Sequence, residues 1–568
     1  MSLLINPKTY HQKWPDQKTQ DIMEKTIAFF ERKGLSSIKE DDQDIRWYDD
    51  YIRFLKENEV FATLLTPSGY GDPDSRFDLS RVCQFNEILG FYGNSFQYAY
   101  QVSILGLGPI WMGNNEAVKH KAARLLKEGG IFAFGLSEKD HGADLYSNEM
   151  RLHPQADGTY KADGSKYYIG NSNRAALVSV QGRNTDKDEY VFFAVESGHH
   201  NYKLVKKIET SGNRNGYVGE FELVDYPIAP EDILSSGQLA WDSSLSTVNI
   251  GKFQLGFCAV GICTHSFYEA INHASNRILY GKPVTVFPHI RKFFIDSYVR
   301  LHAMKLYALR SLDYFRSSSN EDRRYLLFNP IQKTKVAQEG VKVMDMILDI
   351  VTAKGFEQDT YIEGAIREIG MLPRLEGTAH VNIGLVIKFL QNYLFNPIDY
   401  PVIPKRDDPG DDAYIFKQYT GGLAKVRFPD YRLAYEGVDL PNIRVFRSQI
   451  ELFREFIERA TPSPEQRANI DYMLPLGEMF TLIVYAQLIL ENCGIYKVDS
   501  DIVDRIFNLL VRDFSQYALT QITGAVNTNE QEKYLRKMLM SPVIDPAQEM
   551  RLWKDHVEVQ NGAYVMNP

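Results

Sequence analysis

Apolar residues recur at three- and four-residue steps early in the chain, in "KTQDIMEKTIAFFERKG" (18–34) and "DIRWYDDYIRFLKENEV" (44–60). That spacing gathers one face of an α-helix and predicts a helical N-terminal domain over 1–127. Near residue 128 the period shortens. "GGIFAFGLSE" (129–138), "TYKADGSKYYIGNS" (159–172), "AALVSVQGR" (175–183), "DEYVFFAVES" (188–197) and "GYVGEFELVDYPI" (216–228) are β-branched or aromatic, with Gly, Asn and Asp between them. They predict an antiparallel β domain over 128–238, since no helix intervenes to return a strand in parallel.

Helical spacing returns over 239–396. In "HIRKFFIDSYVRLHAMKLYALRSLDYF" (289–315), Leu301, Met304, Ala308, Leu312 and Phe315 share a face. Val336, Val343, Ile347 and Ile350 do so in the next helix, where Gly355 suits a C-cap. Long stripes of this kind predict a helix bundle. "FNPIDYPVIPKRDDPGDD" (395–412) is rich in Pro and Asp, so 397–429 is expected to be a linker and 430–568 an additional helical extension. In that extension "MFTLIVYAQLILENCG" (479–494) is expected to be a buried helix, and "GLGPIWMGNN" (106–115) a Gly-rich loop. The predicted fold class is α+β, mostly α, in the order helices, β domain, helix bundle, helical extension. That order excludes a doubly wound nucleotide-binding fold.

Composition adds limits rather than direction. The 568 residues exceed what a single core holds, and 44% hydrophobic with 24% charged residues is ordinary for a globular protein. A net charge of −9 argues against a nucleic-acid partner, which needs a basic footprint. Cys83, Cys258, Cys263 and Cys493 form no CxxC pair, which argues against disulfides, zinc or an iron–sulfur cluster. No uncharged apolar run reaches the roughly 18 residues of a membrane span. The opening "MSLLINPKTYHQKWPDQ" lacks the apolar core of a signal peptide, so the expected location is cytoplasmic.

The chemistry gathers around "LEGTAHVN" (375–382), where Glu376 precedes Gly377 and a helix start. A general base must reach its proton without being stabilised as a solvated carboxylate, and an apolar pocket raises its pKa toward neutrality. Gly377 permits a tight turn, and Thr378 can N-cap the helix that follows.

Together with "FGLSEKDHGADL" (134–145), "GSKYYIGNSNRA" (164–175), "NRILYGKPV" (276–284) and "VTAKGF" (351–356), this segment resembles the acyl-CoA dehydrogenases over residues 1–395, with the extension resembling the family's long forms. The resemblance implies FAD held between the β domain and the bundle, and desaturation of an acyl-CoA thioester between Cα and Cβ. Glu376 would abstract the α-proton while a hydride passes to flavin N5. Cofactor contacts would come from Phe134, Leu136, Ser137, Tyr168, Ile169, Gly170, Thr378 and His380, and, across a homodimer, from Arg277, Tyr280, Asp349 and Ala353. Ala143, Asn249, Lys252 and Gly377 would meet the substrate, with Lys252 directed at a CoA phosphate. The resemblance also implies electron-transfer flavoprotein as acceptor and fatty-acid or related acyl-CoA catabolism. The sequence departs from the family pattern at Lys139, Ala143, Gly170 and Asp349. An oxygen-reducing acyl-CoA oxidase, or a flavin-binding homologue without turnover, are the alternatives. His141 is assigned no role.

Overall fold

The computed structural model describes residues 3–568. The first helices wrap one side of the molecule. Gln17–Gln43 opens on the carboxylate of Asp16, which accepts the Thr19 N–H at 2.8 Å. Leu79–Tyr92 and Asn94–Met112 are buried on almost every face because they lie between other elements rather than on a surface.

The expected loop at 106–115 is instead helical through Met112, Pro109 included. Its glycines serve packing. A Cβ on Gly106 would stand 2.7 Å from backbone atoms of Ala133, and one on Gly108 would stand 2.4 Å from Thr247 Oγ1. A sequence read for turn formers mistakes such close approach for a loop.

The β domain holds, among the described residues, eight strands: β1 Ile131–Gly135, β2 Arg151–Pro154, β3 Tyr160–Gly170, β4 Ala175–Asn184, β5 Glu189–Val195, β6 Tyr202–Lys207, β7 Val218–Ile228 and β8 Ile233–Ser236. Their order is β6-β7-β3-β2-β4-β5-β8, with β1 also beside β4. The sheet is mixed, which corrects the antiparallel expectation. β1 and β2 both run parallel to β4, Phe134 standing opposite Ser179. The hairpin of β2 and β3 carries the chain back far enough to make these pairings without a crossover helix.

Gly237–Asn276, a 40-residue helix buried along most of its length, forms the axis of the bundle. Pro288–Arg316 and Tyr325–Val351 flank it, and the predicted stripes of both are buried. The second ends at Thr352, with φ 58°, rather than at Gly355.

Residues 397–429 are no loose linker. Arg310, Arg316 and Arg323 donate to the carbonyls of Ile403 (2.7 Å), Asp408 (2.9 Å) and Gly421 (2.8 Å). Asp412 accepts the Leu79 N–H at 2.7 Å. Nor does the extension have a core of its own: Phe446, Phe480, Leu488, Phe507 and Phe514 join one continuous cluster with Phe267, Leu301 and Val343 of the bundle. Its helix Ile470–Tyr496 is long and apolar enough to cross a membrane, but 78% of its most apolar window is buried within the protein.

Candidate active site

Glu376 lies in the turn between Tyr361–Ile369 and Ala379–Val386, in the left-handed region at φ 50°, and Gly377 follows at φ 85°. Two successive positive φ values swing the carboxyl inward, toward the bundle. A non-glycine residue at such an angle carries strain, which is stored where the surroundings enforce it.

The residue is half-buried, but its carboxyl lies inside. Oε1 accepts a short hydrogen bond from Gln101 Nε2, on Asn94–Met112. Oε2 is buried and has no hydrogen-bond partner among the described residues. It faces Gly251, where a Cβ would come within 2.8 Å of Oε2 and 2.3 Å of Leu105 Cδ2. Gly251 therefore clears the space beside the free oxygen. The backbone N–H of Glu376 also makes no hydrogen bond to a described residue.

Two lysines border this carboxyl. Lys333 Nζ, on Tyr325–Val351, donates to the carbonyl of Pro373 at 2.7 Å and closely to that of Gly377. Lys252 Nζ, on Gly237–Asn276, donates to Asn382 Oδ1 at 3.4 Å, and Asn382 Nδ2 donates to the carbonyls of Gly377 and Thr378, both at 3.0 Å. Burial pushes Glu376 up to about 7 against the pull of Lys333, Gln101 and Lys252. It likewise drives Lys333 down to about 7 and Lys252 down to about 8, with Glu376 opposing both shifts. The lysines act through the field rather than by contact, which leaves Oε2 free to take a proton.

Phe134 is buried in β1, its ring 6.0 Å from Phe192. The Leu136 carbonyl is taken by Lys166 Nζ at 3.0 Å and Asn148 Nδ2 at 3.1 Å, so it is not free to bind a ring. Ser137 Oγ donates to the Tyr167 carbonyl at 2.7 Å, and the Tyr167 N–H donates to the Ser137 carbonyl at 3.0 Å. Tyr168, at φ 61°, is 61% exposed. Ile169 is buried in the sheet core, and a Cβ on Gly170 would meet Tyr98 Oη at 2.8 Å; both positions are used for packing. Tyr98 links the two halves, since Glu376 adds to the burial that raises its pKa.

The remaining predicted positions lie as follows. Lys252 is buried beside the base rather than exposed to solvent. Asn249 Nδ2 donates to Gln418 Oε1 at 3.1 Å, which commits it to the 397–429 segment. Thr378 occupies the N-cap position without capping; its hydroxyl lies 2.9 Å from His380 Nε2. Ala143 stands exposed on the loop after Glu138. Arg277 Nη1 donates to Thr352 Oγ1 at 3.0 Å, placing Arg277 beside exposed Ala353 on the surface, with Tyr280 93% and Phe356 67% exposed. Asp349, on the preceding helical turn, is also exposed. Sequence reasoning missed Gln101, Lys333 and Gly251. Lys333 did leave a signal, since it falls on the same apolar stripe as Val336 and Val343.

The family model for the acyl-CoA dehydrogenase middle domain matches residues 133–226, and that for the C-terminal domain matches 241–391. The short-chain-specific acyl-CoA dehydrogenase of Megasphaera elsdenii is 24% identical over 372 residues, covering 64% of this chain and 95% of its own. A crystal structure of acyl-CoA dehydrogenase complexed with FAD from Bacillus anthracis superposes with a TM-score of 0.76 at 17% identity, covering 99% of this chain and 97% of its own. Butyryl-CoA dehydrogenase from Megasphaera elsdenii gives 0.61 at 21%, covering 67% and 100%. The helix–sheet–bundle order, the inward turn at Glu376 and these matches agree: residues 133–226 and 241–391 are the middle and C-terminal domains of the acyl-CoA dehydrogenase family of oxidoreductases, in a fold with an added C-terminal helical region.

Proposed function

We propose that this protein desaturates an acyl-CoA thioester between Cα and Cβ with Glu376 as the base. The observation that carries this reading is the buried Glu376 carboxyl, one oxygen held by Gln101 and the other free beside Gly251. A carboxyl raised to about 7 is half-deprotonated near neutrality, so it is available as a base yet strong enough to compete for a proton α to a thioester. The free N–H of Glu376 can donate to the thioester oxygen, which gains negative charge as the proton leaves.

FAD fits the ledge where β1 and β3 end. Ser137 and Tyr167 lock that ledge through two hydrogen bonds, and the Ser137 hydroxyl oxygen keeps capacity to accept another. The exposed Tyr168 ring, held at positive φ, offers a flat apolar face to a planar ring system. When bound, FAD supplies the acceptor for the hydride from Cβ. Arg277 of a second copy would meet the cofactor's pyrophosphate, its guanidinium matching phosphate geometry. The exposed Tyr280 and Phe356 would be covered in that homodimer. Electron-transfer flavoprotein is the expected acceptor of the reducing equivalents.

Anaerobic titration of the purified flavoprotein with acyl-CoAs from butyryl to eicosanoyl tests the reading. Bleaching of the flavin is expected with at least one chain length. Glu376→Gln should bind that ligand and stay yellow, and bleaching at the wild-type rate would reassign the base. Admitting oxygen afterwards separates the two acceptors, since rapid reoxidation by oxygen alone indicates an oxidase.

A further inference from the structure

We propose that Lys333 is the positioning residue for the Glu376 base: its single ammonium bridges the carbonyls of Pro373 and Gly377, and so closes the turn that aims the carboxyl inward. The inference rests on the reading of Glu376 given above. Three observations carry it.

The first is geometric. Pro373 and Gly377 stand on either side of Glu376 in the chain, and Lys333 Nζ donates to both carbonyls. The Gly377 carbonyl also accepts from Asn382 Nδ2 at 3.0 Å, and Asn382 Oδ1 receives Lys252. Residues 373–377 are therefore tied to Tyr325–Val351 through Lys333, to Ala379–Val386 through Asn382, and to Gly237–Asn276 through Lys252. Without Lys333, the turn keeps its ties through Asn382 and through the Gln101–Glu376 hydrogen bond, and the Pro373 carbonyl loses its hydrogen bond to the bundle.

The second is conformational. Glu376 at φ 50° and Gly377 at φ 85° form an arrangement an ordinary backbone leaves when released. Two carbonyls drawn onto one ammonium supply a fixed geometry that opposes relaxation. A displacement of about 1 Å in a reacting group can cost about a hundredfold in rate.

The third is chemical. Lys333 is fully buried on an apolar helical face, a position where an uncompensated ammonium is costly unless its donors are used. Both acceptors are main-chain carbonyls, so the donors of the lysine are used without an ion pair that would block the base. The groups facing Glu376 are Gln101 and Tyr98 from Asn94–Met112, Lys252 from Gly237–Asn276, and Lys333 itself. Lys333 is the strongest of these in pulling the carboxyl toward ionisation. Its loss therefore moves the base in space and also raises its proton affinity.

The test uses flavin-loaded protein and stopped-flow reduction by a saturating thioester across a pH series, with flavin content and thioester affinity measured alongside. Lys333→Met is expected to retain flavin and to bind the thioester with about wild-type affinity. Its limiting rate should fall about tenfold to a hundredfold, and the pH at which the rate reaches half-maximum should rise by about one unit. Lys333→Arg keeps the charge but cannot seat one nitrogen between the two carbonyls. It should hold the wild-type pH midpoint with a smaller loss of rate, and it serves as the test if the Met variant does not fold. A native rate and midpoint in Lys333→Met overturns the assignment. So does a loss that tracks flavin content alone, or an Arg variant whose rate is native or whose midpoint shifts. If the wild-type protein bleaches with no thioester, the underlying dehydrogenase reading fails instead, which is a distinguishable result.

Discussion

Glu376 illustrates how far one residue's behaviour follows from its surroundings. Its carboxyl ionises at about 7 in the folded protein, against 4.5 for a free side chain. Between those values the folded protein keeps a proton that the unfolded chain has released. The stability linked to this group is therefore fully present below about pH 4.5 and is lost as pH rises through about 7. Glutamine has no such proton to lose. The melting temperature of Glu376→Gln relative to the wild type should thus climb between about pH 5 and about pH 8, by the equivalent of at most about 3 kcal/mol. Calorimetry at the two pH values checks the sign, and a difference that shrinks with pH would contradict it. Reduction of the flavin runs the other way, gaining rate with pH as the base deprotonates. Replacing Gly251 with Ala should also act locally. The added methyl would meet Leu105 and the free Oε2, so binding of the thioester should weaken more than flavin binding does, as titration of each ligand would reveal.

The sequence disclosed this residue because the turn "EGT" and its helix are contiguous. It did not disclose Gln101 or Gly251, since their role depends on distant segments meeting. Gly251 reads as an ordinary small residue in an apolar helix until Leu105 and Glu376 stand beside it.

Elements were legible where a single face decides burial. Leu301, Met304, Ala308, Leu312 and Phe315 are all buried, as their spacing implies. Strand direction was not legible, because β1 and β4 are paired across more than forty residues and nothing local sets their sense. Charge networks between helices escaped for the same reason. Asp513, on the extension helix Ser500–Gly524, receives Arg300 Nη1 at 3.0 Å and Lys342 Nζ at 2.9 Å. Glu339 binds Arg300 closely and Lys335 at 2.7 Å. Burial works against the Asp513 charge, but Arg300 and Lys335 overcome it and hold the carboxyl at about 2. Replacing Asp513 with Ala would leave three cations facing Glu339 alone, at a cost of about 3–5 kcal/mol. Urea denaturation should show the lower midpoint with an unchanged slope. A midpoint within error of the wild type would mean the extension does not depend on this network.

At the scale of the molecule, the division into bundle and extension drawn from sequence gives way to a common core. Phe428 packs edge-on against Phe389 and tilted against Tyr393, and Tyr393 also meets Phe480 of the extension edge-on. A fragment ending at residue 396 would expose Phe389 and Tyr393 along with the apolar bundle surface the extension covers. Size-exclusion chromatography should find it aggregated, whereas a discrete flavin-binding fragment would mean that the bundle closes unaided.

The three arginines that grip residues 403–421 take hold of main-chain oxygens, which every amino acid provides. Apart from Arg406 and Asp408, which pair with each other, side chains between Pro404 and Asp411 could therefore be exchanged widely, while adding or deleting a single residue would throw the oxygens out of reach of their guanidinium partners. A protease cut within this stretch would break the covalent thread and leave the grip intact. The two pieces would still migrate as one particle, parting only when denaturant loosens the helices behind them.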